Sequence, residues 1–67
     1  MIVKLTYFKP SGKYYTDSVY NANATTLHDV CAEVRNLKEE KGLPGLAAGH
    51  SDFIVLVIVD EVPYLIL

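Results

Sequence analysis

A run of consecutive apolar residues places the strongest constraint on the fold of this chain. Phe53–Val59 contains seven apolar residues without a polar interruption. Spanning a bilayer takes about 20 such residues in a helix, so the run is too short for a membrane segment. A strand exposed on one face alternates apolar and polar residues, and this run does not. The pattern therefore predicts a strand that is buried on both faces.

The first twenty residues predict a β-hairpin. Ile2–Phe8 is rich in β-branched and aromatic residues, and alternation places Val3, Leu5 and Tyr7 on one face. Lys9–Gly12 has turn chemistry, because proline presets φ and glycine allows a positive φ. Lys13–Tyr20 then alternates as a second strand, whose polar positions indicate a sheet edge partly exposed to water.

One amphipathic helix is predicted after the hairpin. Thr26 is expected to cap its first turn, and Asp29 lies favourably near the positive helix end. An apolar stripe at helical spacing follows, formed by Leu27, Val30, Cys31, Val34 and Leu37. Gly42 fits a left-handed C-terminal cap, and Pro44 prevents the helix from resuming.

The remaining segments complete a β-β-α-β-β order. Residues 43–52 form a long loop, Asp60–Pro63 turns the chain, and Tyr64–Leu67 is predicted to be a short last strand. Strand order is left open, because the long loop allows Phe53–Val59 to pair with either hairpin strand. The fold class is α+β: residues 1–67 form one domain, with a four-stranded sheet and one helix packed on one face.

This architecture leaves one sheet face without a cover. A single helix shields one face, while the apolar run supplies large side chains to both. Monomers seldom expose such a surface, so we expect self-association as a homodimer or higher oligomer. The alternative is that the long loop and the last strand fold over the second face. The expected interface residues are Ile54, Leu56, Ile58, Tyr64 and Ile66.

Composition narrows the function classes. A formal net charge of -2 argues against strong nucleic-acid binding, which needs a concentrated basic face. Cys31 is the only cysteine, and His28 and His50 lie far from it without metal-ligand spacing. We therefore predict no disulfide, no metal and no cofactor. A soluble protein of a reducing cytoplasm, without membrane attachment, fits these features.

The hairpin turn is the main candidate for ligand binding. Lys9, Lys13, Tyr14 and Tyr15 place two ammonium groups and two phenols around one turn, which suits a phosphate or an acidic partner. Arg35 and His50 of a neighbouring subunit are further candidates. The alternative interpretation is a solvated hairpin tip whose lysines discourage edge aggregation.

Catalysis is not predicted. His50, Ser51 and Asp52 are the residue types of a hydrolase triad, but neighbours in one loop do not generally reach triad geometry. Cys31 lies on the apolar stripe of the helix, whereas a nucleophilic cysteine needs an exposed electropositive setting. No catalytic residue is assigned, and an enzyme is not expected.

Three segments together resemble small uncharacterised proteins of tailed bacteriophages. They are Leu5–Tyr15, the helix segment Glu33–Arg35, and Leu43–Leu46 followed by Phe53–Val59. This resemblance implies the cytoplasm of an infected bacterium as the setting, and no reaction. The hairpin–helix–strands order is also similar in shape to β-grasp, ubiquitin-like domains, which implies no function.

The expected function is that of a non-enzymatic accessory protein that acts by protein binding, as a homo-oligomer and in contact with a host protein. The alternative is a small-ligand protein that binds or sequesters an anionic nucleotide at the hairpin turn.

Overall fold

The computed structural model describes residues 1–46 and 52–66, and these residues form one antiparallel sheet with helical structure on one side. The elements in chain order are strand β1 (Ile2–Phe8), strand β2 (Tyr14–Asn21), helix α1 (Leu27–Asn36), a π-helical turn (Leu37–Lys41), strand β3 (Ile54–Val59) and strand β4 (Val62–Ile66). The predicted α+β class and the β-β-α-β-β order are confirmed.

The sheet order is β2-β1-β3-β4, which resolves the alternative that the sequence left open. The long apolar strand β3 pairs with β1, and both hairpins are antiparallel. β2 and β4 are consequently the two edge strands. β4 extends the sheet in its plane beside β3, so the last strand does not fold over a sheet face as the alternative interpretation proposed.

Cross-strand register divides the side chains into two faces. Leu5 is opposite Ser18 on β2 and Val57 on β3, and Val57 is in turn opposite Tyr64 on β4. The face that these residues share meets α1, and we call it the helix face. Its members join residues of α1 and the loops in the core: Val3, Leu5, Tyr7, Ala22, Val30, Val34, Leu43, Phe53, Val55, Val57 and Ile66.

The predicted beginning of the helix is confirmed. Thr26 adopts an extended conformation, and its Oγ1 accepts a hydrogen bond of 3.3 Å from the Asp29 amide. Val30 and Val34 of the apolar stripe are fully buried against the sheet. The stripe is therefore what fixes the side of the helix that faces the core.

The end of the helix differs from the prediction. The last turn widens into the π-helical turn, and the Gly42 amide donates to the Leu37 carbonyl at 2.7 Å. Gly42 has a positive φ of 91°, as expected for a glycine at a helix end, but its ψ of 153° is not that of a left-handed cap. The chain thus leaves the helix in an extended direction that leads Pro44 towards the sheet.

Several strand boundaries are also corrected, and β2 is Tyr14–Asn21 rather than Lys13–Tyr20. β3 begins at Ile54 rather than Phe53, and β4 begins at Val62 rather than Tyr64. The connection between them is a two-residue turn, because Val59 pairs directly with Val62. The two turn residues, Asp60 and Glu61, have positive φ angles of 49° and 67°. This is the conformation that matches the right-handed twist of a hairpin.

Candidate functional site: the distal face of the sheet

The sheet face opposite α1, which we call the distal face, is defined by the side chains that point away from the helix. They are Ile2, Lys4, Thr6 and Phe8 of β1, Tyr14, Asp17, Val19 and Asn21 of β2, Ile54, Leu56 and Ile58 of β3, and Pro63 and Leu65 of β4. Most of them are apolar. No helix or strand within residues 1–46 and 52–66 covers this face.

Exposure of the distal face follows directly from the missing cover. Val19 is 75% exposed, Ile2 71% and Leu65 54%, although each is a large aliphatic side chain in a strand. Ile54, Leu56 and Ile58 are only partly buried. The expectation that both faces of the apolar strand are buried is thus wrong for a single copy: Val55 and Val57 are fully buried and the alternating residues are not.

The centre of the distal face contains a few polar groups. Thr6 lies between Asp17 on β2 and Leu56 on β3, and only 7% of its surface is exposed. Its Oγ1 is buried and has no hydrogen-bond partner within the described part of the chain. The Lys4 ammonium lies 3.5 Å from an Asp17 carboxylate oxygen. The face is therefore an apolar surface with one balanced ion pair and one buried hydroxyl.

The predicted interface residues fall on both faces. Ile54, Leu56 and Ile58 lie together on the distal face, as the alternation predicts. Tyr64 and Ile66 point to the helix face, and Ile66 is 2% exposed in the core. Assigning Ile66 to an interface was wrong, because β4 pairs with β3 in a register that places it opposite the buried Val55.

The two edges of the sheet differ in the hydrogen-bonding groups that they offer. The backbone N–H groups of Met1 and Ala22 each donate to the other residue's carbonyl, so these two residues are a hydrogen-bonded pair at the end of the β1–β2 ladder. Hydrogen-bonded and non-hydrogen-bonded pairs alternate along an antiparallel ladder. Asp17, Val19 and Asn21 of β2 are in the non-hydrogen-bonded pairs, so their backbone N–H and C=O groups point away from β1.

The same alternation applied to β4 gives a different result. The two-residue turn makes Val59 and Val62 a hydrogen-bonded pair of the β3–β4 ladder. Pro63 and Leu65 are then in non-hydrogen-bonded pairs, so their backbone groups point away from β3. Pro63 has no N–H to offer, and proline at this place protects an edge strand. The β4 edge is thus blocked, whereas β2 has no such residue.

The hairpin turn holds its predicted ligand-binding residues in two groups. The Lys9 ammonium lies 5.9 Å from the centroid of the Tyr15 ring, a cation–π geometry. Tyr15 packs edge-to-face on Phe53 at 5.1 Å, while Tyr14 packs on Phe8 at 6.1 Å. A bulge between Tyr7 and Phe8 separates the two tyrosines. The turn therefore brings Lys9 and Tyr15 together and directs Tyr14 to the distal face.

The other candidate residues lie elsewhere. Lys13 is exposed in the hairpin turn, and Arg35 is exposed on α1. His50 falls outside the described residues. Cys31 is partly buried against the core, and His28 is exposed. Residues 1–46 and 52–66 contain no group of three or more His, Cys, Asp or Glu placed to hold a metal ion.

One charged side chain beside a groove was not among the predicted site residues. Glu33 lies outside the apolar stripe of α1, and its carboxylate accepts hydrogen bonds from the Tyr20 hydroxyl and from the Asn23 and Ala24 amides, the latter two at 3.1 Å. The Tyr20 hydrogen bond lowers the pKa of Glu33, and the same bond raises the pKa of Tyr20 to about 12. We call Tyr20 and Glu33 the Tyr20–Glu33 bracket.

A groove of about 270 Å³ lies beside this bracket, between the β2 edge and the helix. It is lined by Tyr20, Asn23, Glu33, Asn36, Leu37 and Glu40. The only sequence signal for it is the i, i+7 spacing of Glu33 and Glu40, which places both carboxylates on one side of the helix.

No protein-family model, curated protein or solved structure matches this chain. No helix in the part of the chain that the structure describes is long and apolar enough to cross a membrane.

Proposed function

We propose that this protein acts by binding other protein chains rather than by catalysis, and that its first partner is a second copy of itself packed on the distal face. The observation that carries the proposal is the contrast in exposure between the two faces. Val19, Ile2 and Leu65 are more than half exposed on a face that also holds the β3 aliphatics. Fully burying an exposed side chain of this kind contributes about 1.5–3 kcal/mol, and the gain here scales with the part that is still exposed.

The distal face is close to the size that a dimer interface needs. Four strands spaced about 4.8 Å apart and about six residues long give a footprint of roughly 400 Å². Two such footprints give roughly 800 Å² of projected area, and the accessible area is larger because side chains stand up from a sheet. Specific interfaces bury about 1,200–2,000 Å² in total, so sheet-on-sheet packing approaches this range.

The charges of the distal face also suit a second copy. Lys4 and Asp17 form its ion pair, so the face contributes one positive and one negative group. Two identical faces related by a two-fold axis can exchange these partners without repulsion. A partner of strong single-signed charge would find no complement here.

Analytical ultracentrifugation of matched variants tests this proposal. Leu65 and Val62 are on the same strand and are similarly exposed, 54% and 48%, but they point to opposite faces. We expect Leu65→Lys to weaken association more than 100-fold, because a symmetric dimer loses about 3 kcal/mol or more from two copies. Val62→Lys is the control and should leave association unchanged.

The proposal fails if the wild-type chain sediments as a monomer at tens of micromolar. Equal effects of the two lysine substitutions would also contradict it, because net charge would then be the cause. Circular dichroism of both variants establishes that the fold is retained, which the exposure of both positions predicts.

A second candidate function is the binding of an anionic nucleotide at the hairpin turn. It is supported by the Lys9 ammonium beside the Tyr15 ring, with Lys13 in the same turn. A thermal-shift panel of nucleotides is the test, with Lys13→Ala as the variant expected to lose the shift. A flat panel for the wild-type chain would reject this function.

The cellular setting that we propose is the cytoplasm of a bacterium infected by a phage, with a host protein as a further partner. Its support is the resemblance of the hairpin, helix and apolar strand to small tailed-phage proteins. Affinity capture from bacterial lysate at physiological salt, with the Leu65→Lys variant in parallel, tests for that partner. Recovery of no bacterial protein would contradict it.

A further inference from the structure

The β2 edge offers an unblocked row of backbone hydrogen-bonding groups. Asp17, Val19 and Asn21 direct their N–H and C=O groups away from β1, and no strand within the described residues pairs with them. The Thr16 hydroxyl lies 3.5 Å from the Asp17 carbonyl, too far for a strong hydrogen bond. An edge of this kind is a template for an added strand.

The groove beside this edge has a definite charge. Glu33 and Glu40 supply two carboxylates, and Asn23 and Asn36 supply amide groups. Leu37 is the one aliphatic side chain in the lining. Three hydrogen bonds hold Glu33 in place, so its negative charge has a fixed position next to the edge.

We propose that the β2 edge is a strand-addition site for an extended segment of a partner protein that carries an arginine or lysine. The backbone of the segment would bond to Asp17, Val19 and Asn21. Alternate side chains of an added strand project to the helix side of the sheet, where the groove lies, and a basic one there meets Glu33 and Glu40.

Charge decides between this partner and a second copy at the same edge. Pairing two β2 strands would bring two acidic grooves together, whereas a basic segment neutralises one. The site is also independent of the distal face: the edge lies in the plane of the sheet and the proposed dimer packs on its surface. A monomeric chain would retain it.

Hydrogen exchange measured by NMR on the full chain tests the proposal. The probe is an acetylated and amidated peptide of alternating threonine and valine with one central arginine, and the matched control peptide carries glutamate instead. With the arginine peptide at about ten times its Kd, exchange of the Val19 and Asn21 amides should slow about tenfold. The glutamate peptide should have little effect.

Two substitutions locate the contacts. Glu40→Gln should weaken binding of the arginine peptide severalfold, while Glu39→Gln is the control, since Glu39 is exposed but does not line the groove. Val19→Pro removes an outward N–H without removing a bond to β1, and should abolish protection at Asn21. If this variant does not fold, the wild-type exchange and the Glu40 comparison still decide.

Three results would overturn the proposal. One is unchanged exchange at Val19 and Asn21 with the arginine peptide at millimolar concentration. Another is equal protection by the glutamate peptide. The third is concentration-dependent protection of these amides without any peptide, which would show that a second copy occupies the edge.

Discussion

The two faces of the sheet are built from the same strands and have opposite environments. Along β1, Leu5 is fully buried on the helix face, whereas the distal face has Ile2 at 71% exposure. Along β3, Val57 is buried and its neighbours Leu56 and Ile58 are partly exposed. The apolar character of a strand therefore does not decide its burial; the number of covering elements does.

The polar groups of the two faces differ in the same way. On the helix face, the Tyr7 hydroxyl donates to the Pro44 carbonyl at 2.7 Å and the Tyr20 hydroxyl donates to Glu33. On the distal face, the buried Thr6 Oγ1 has no partner among the described residues. Among the described residues, the buried side-chain polar atoms of the helix face thus have partners, and the buried hydroxyl of the distal face does not.

The largest expected effect comes from truncating the same side chain on each face. Leu5→Ala removes a fully buried leucine next to α1 and should lower the free energy of unfolding by about 3 kcal/mol. Leu56→Ala, on the neighbouring strand but the distal face, should cost about 1 kcal/mol in dilute protein, because Leu56 is partly exposed there. Urea denaturation measures both.

Protein concentration sharpens this test. If the distal face is buried in a dimer, the cost of Leu56→Ala should rise with concentration, and the cost of Leu5→Ala should not. A concentration-independent difference would mean that the distal face is exposed in the native state of the chain.

The second expected effect concerns the Tyr20–Glu33 bracket. Tyr20→Phe should lower the free energy of unfolding by about 1 kcal/mol at neutral pH, because it removes the donor to a charged carboxylate. The pKa of Glu33 is lowered in the folded state, so its stabilisation is present above the unfolded pKa near 4.5 and is lost as the pH falls through the folded value.

The difference in stability between wild type and Tyr20→Phe should therefore shrink below pH 4.5. Urea titrations at a series of acidic pH values measure it. A difference that stays constant down to the acid limit would mean that the hydrogen bond does not depend on the charge of Glu33.

Alkaline pH should act on Tyr7 and Tyr20, two tyrosines of the helix face. Burial raises the pKa of Tyr7 to about 12, and the hydrogen bond to Glu33 raises that of Tyr20 to about 12. Both pKa values exceed the ordinary value of 10.0, so between pH 10.0 and about pH 12 the folded state binds more protons than the unfolded chain. The free energy of unfolding therefore falls as the pH rises through this range.

The measurement is the slope of unfolding free energy against pH near 11. It should correspond to about two protons in the wild type and about one in Tyr20→Phe. Tyr14 on the distal face is the comparison residue: Tyr14→Phe should change this slope less. Equal slopes for the two variants would contradict the assignment of the bracket.

The sequence predicts the elements of the fold well, because their signals are local. The alternation of β1, the Thr26 cap and the apolar stripe of α1 each depend on residues within a few positions of one another, and all three are confirmed. The exposed apolar face was also predictable, because one helix can cover only one of the two faces of a sheet.

What the sequence does not predict is pairing over long distances. The register of β4 against β3 is set by the two-residue turn at Asp60 and Glu61, and these two residue types do not identify such a turn. Tyr64 and Ile66 were therefore predicted to lie at the interface, whereas the register turns both towards the helix face. Glu33 was missed because its partners lie about ten residues away in the chain and are brought near only by the fold.

The smallest effect, and the one of opposite sign, is expected at the centre of the distal face. Thr6→Val replaces the unpartnered Oγ1 with a methyl group of similar size, and an unpaired buried polar atom costs about 1 kcal/mol or more. We therefore expect Thr6→Val to raise the free energy of unfolding by up to about 1 kcal/mol. The matched substitution Thr16→Val, on the edge strand, should have little effect. A clear loss of stability in Thr6→Val would mean that the hydroxyl has a partner in solution, and a stronger dimer in the same variant would place that position inside the interface between copies.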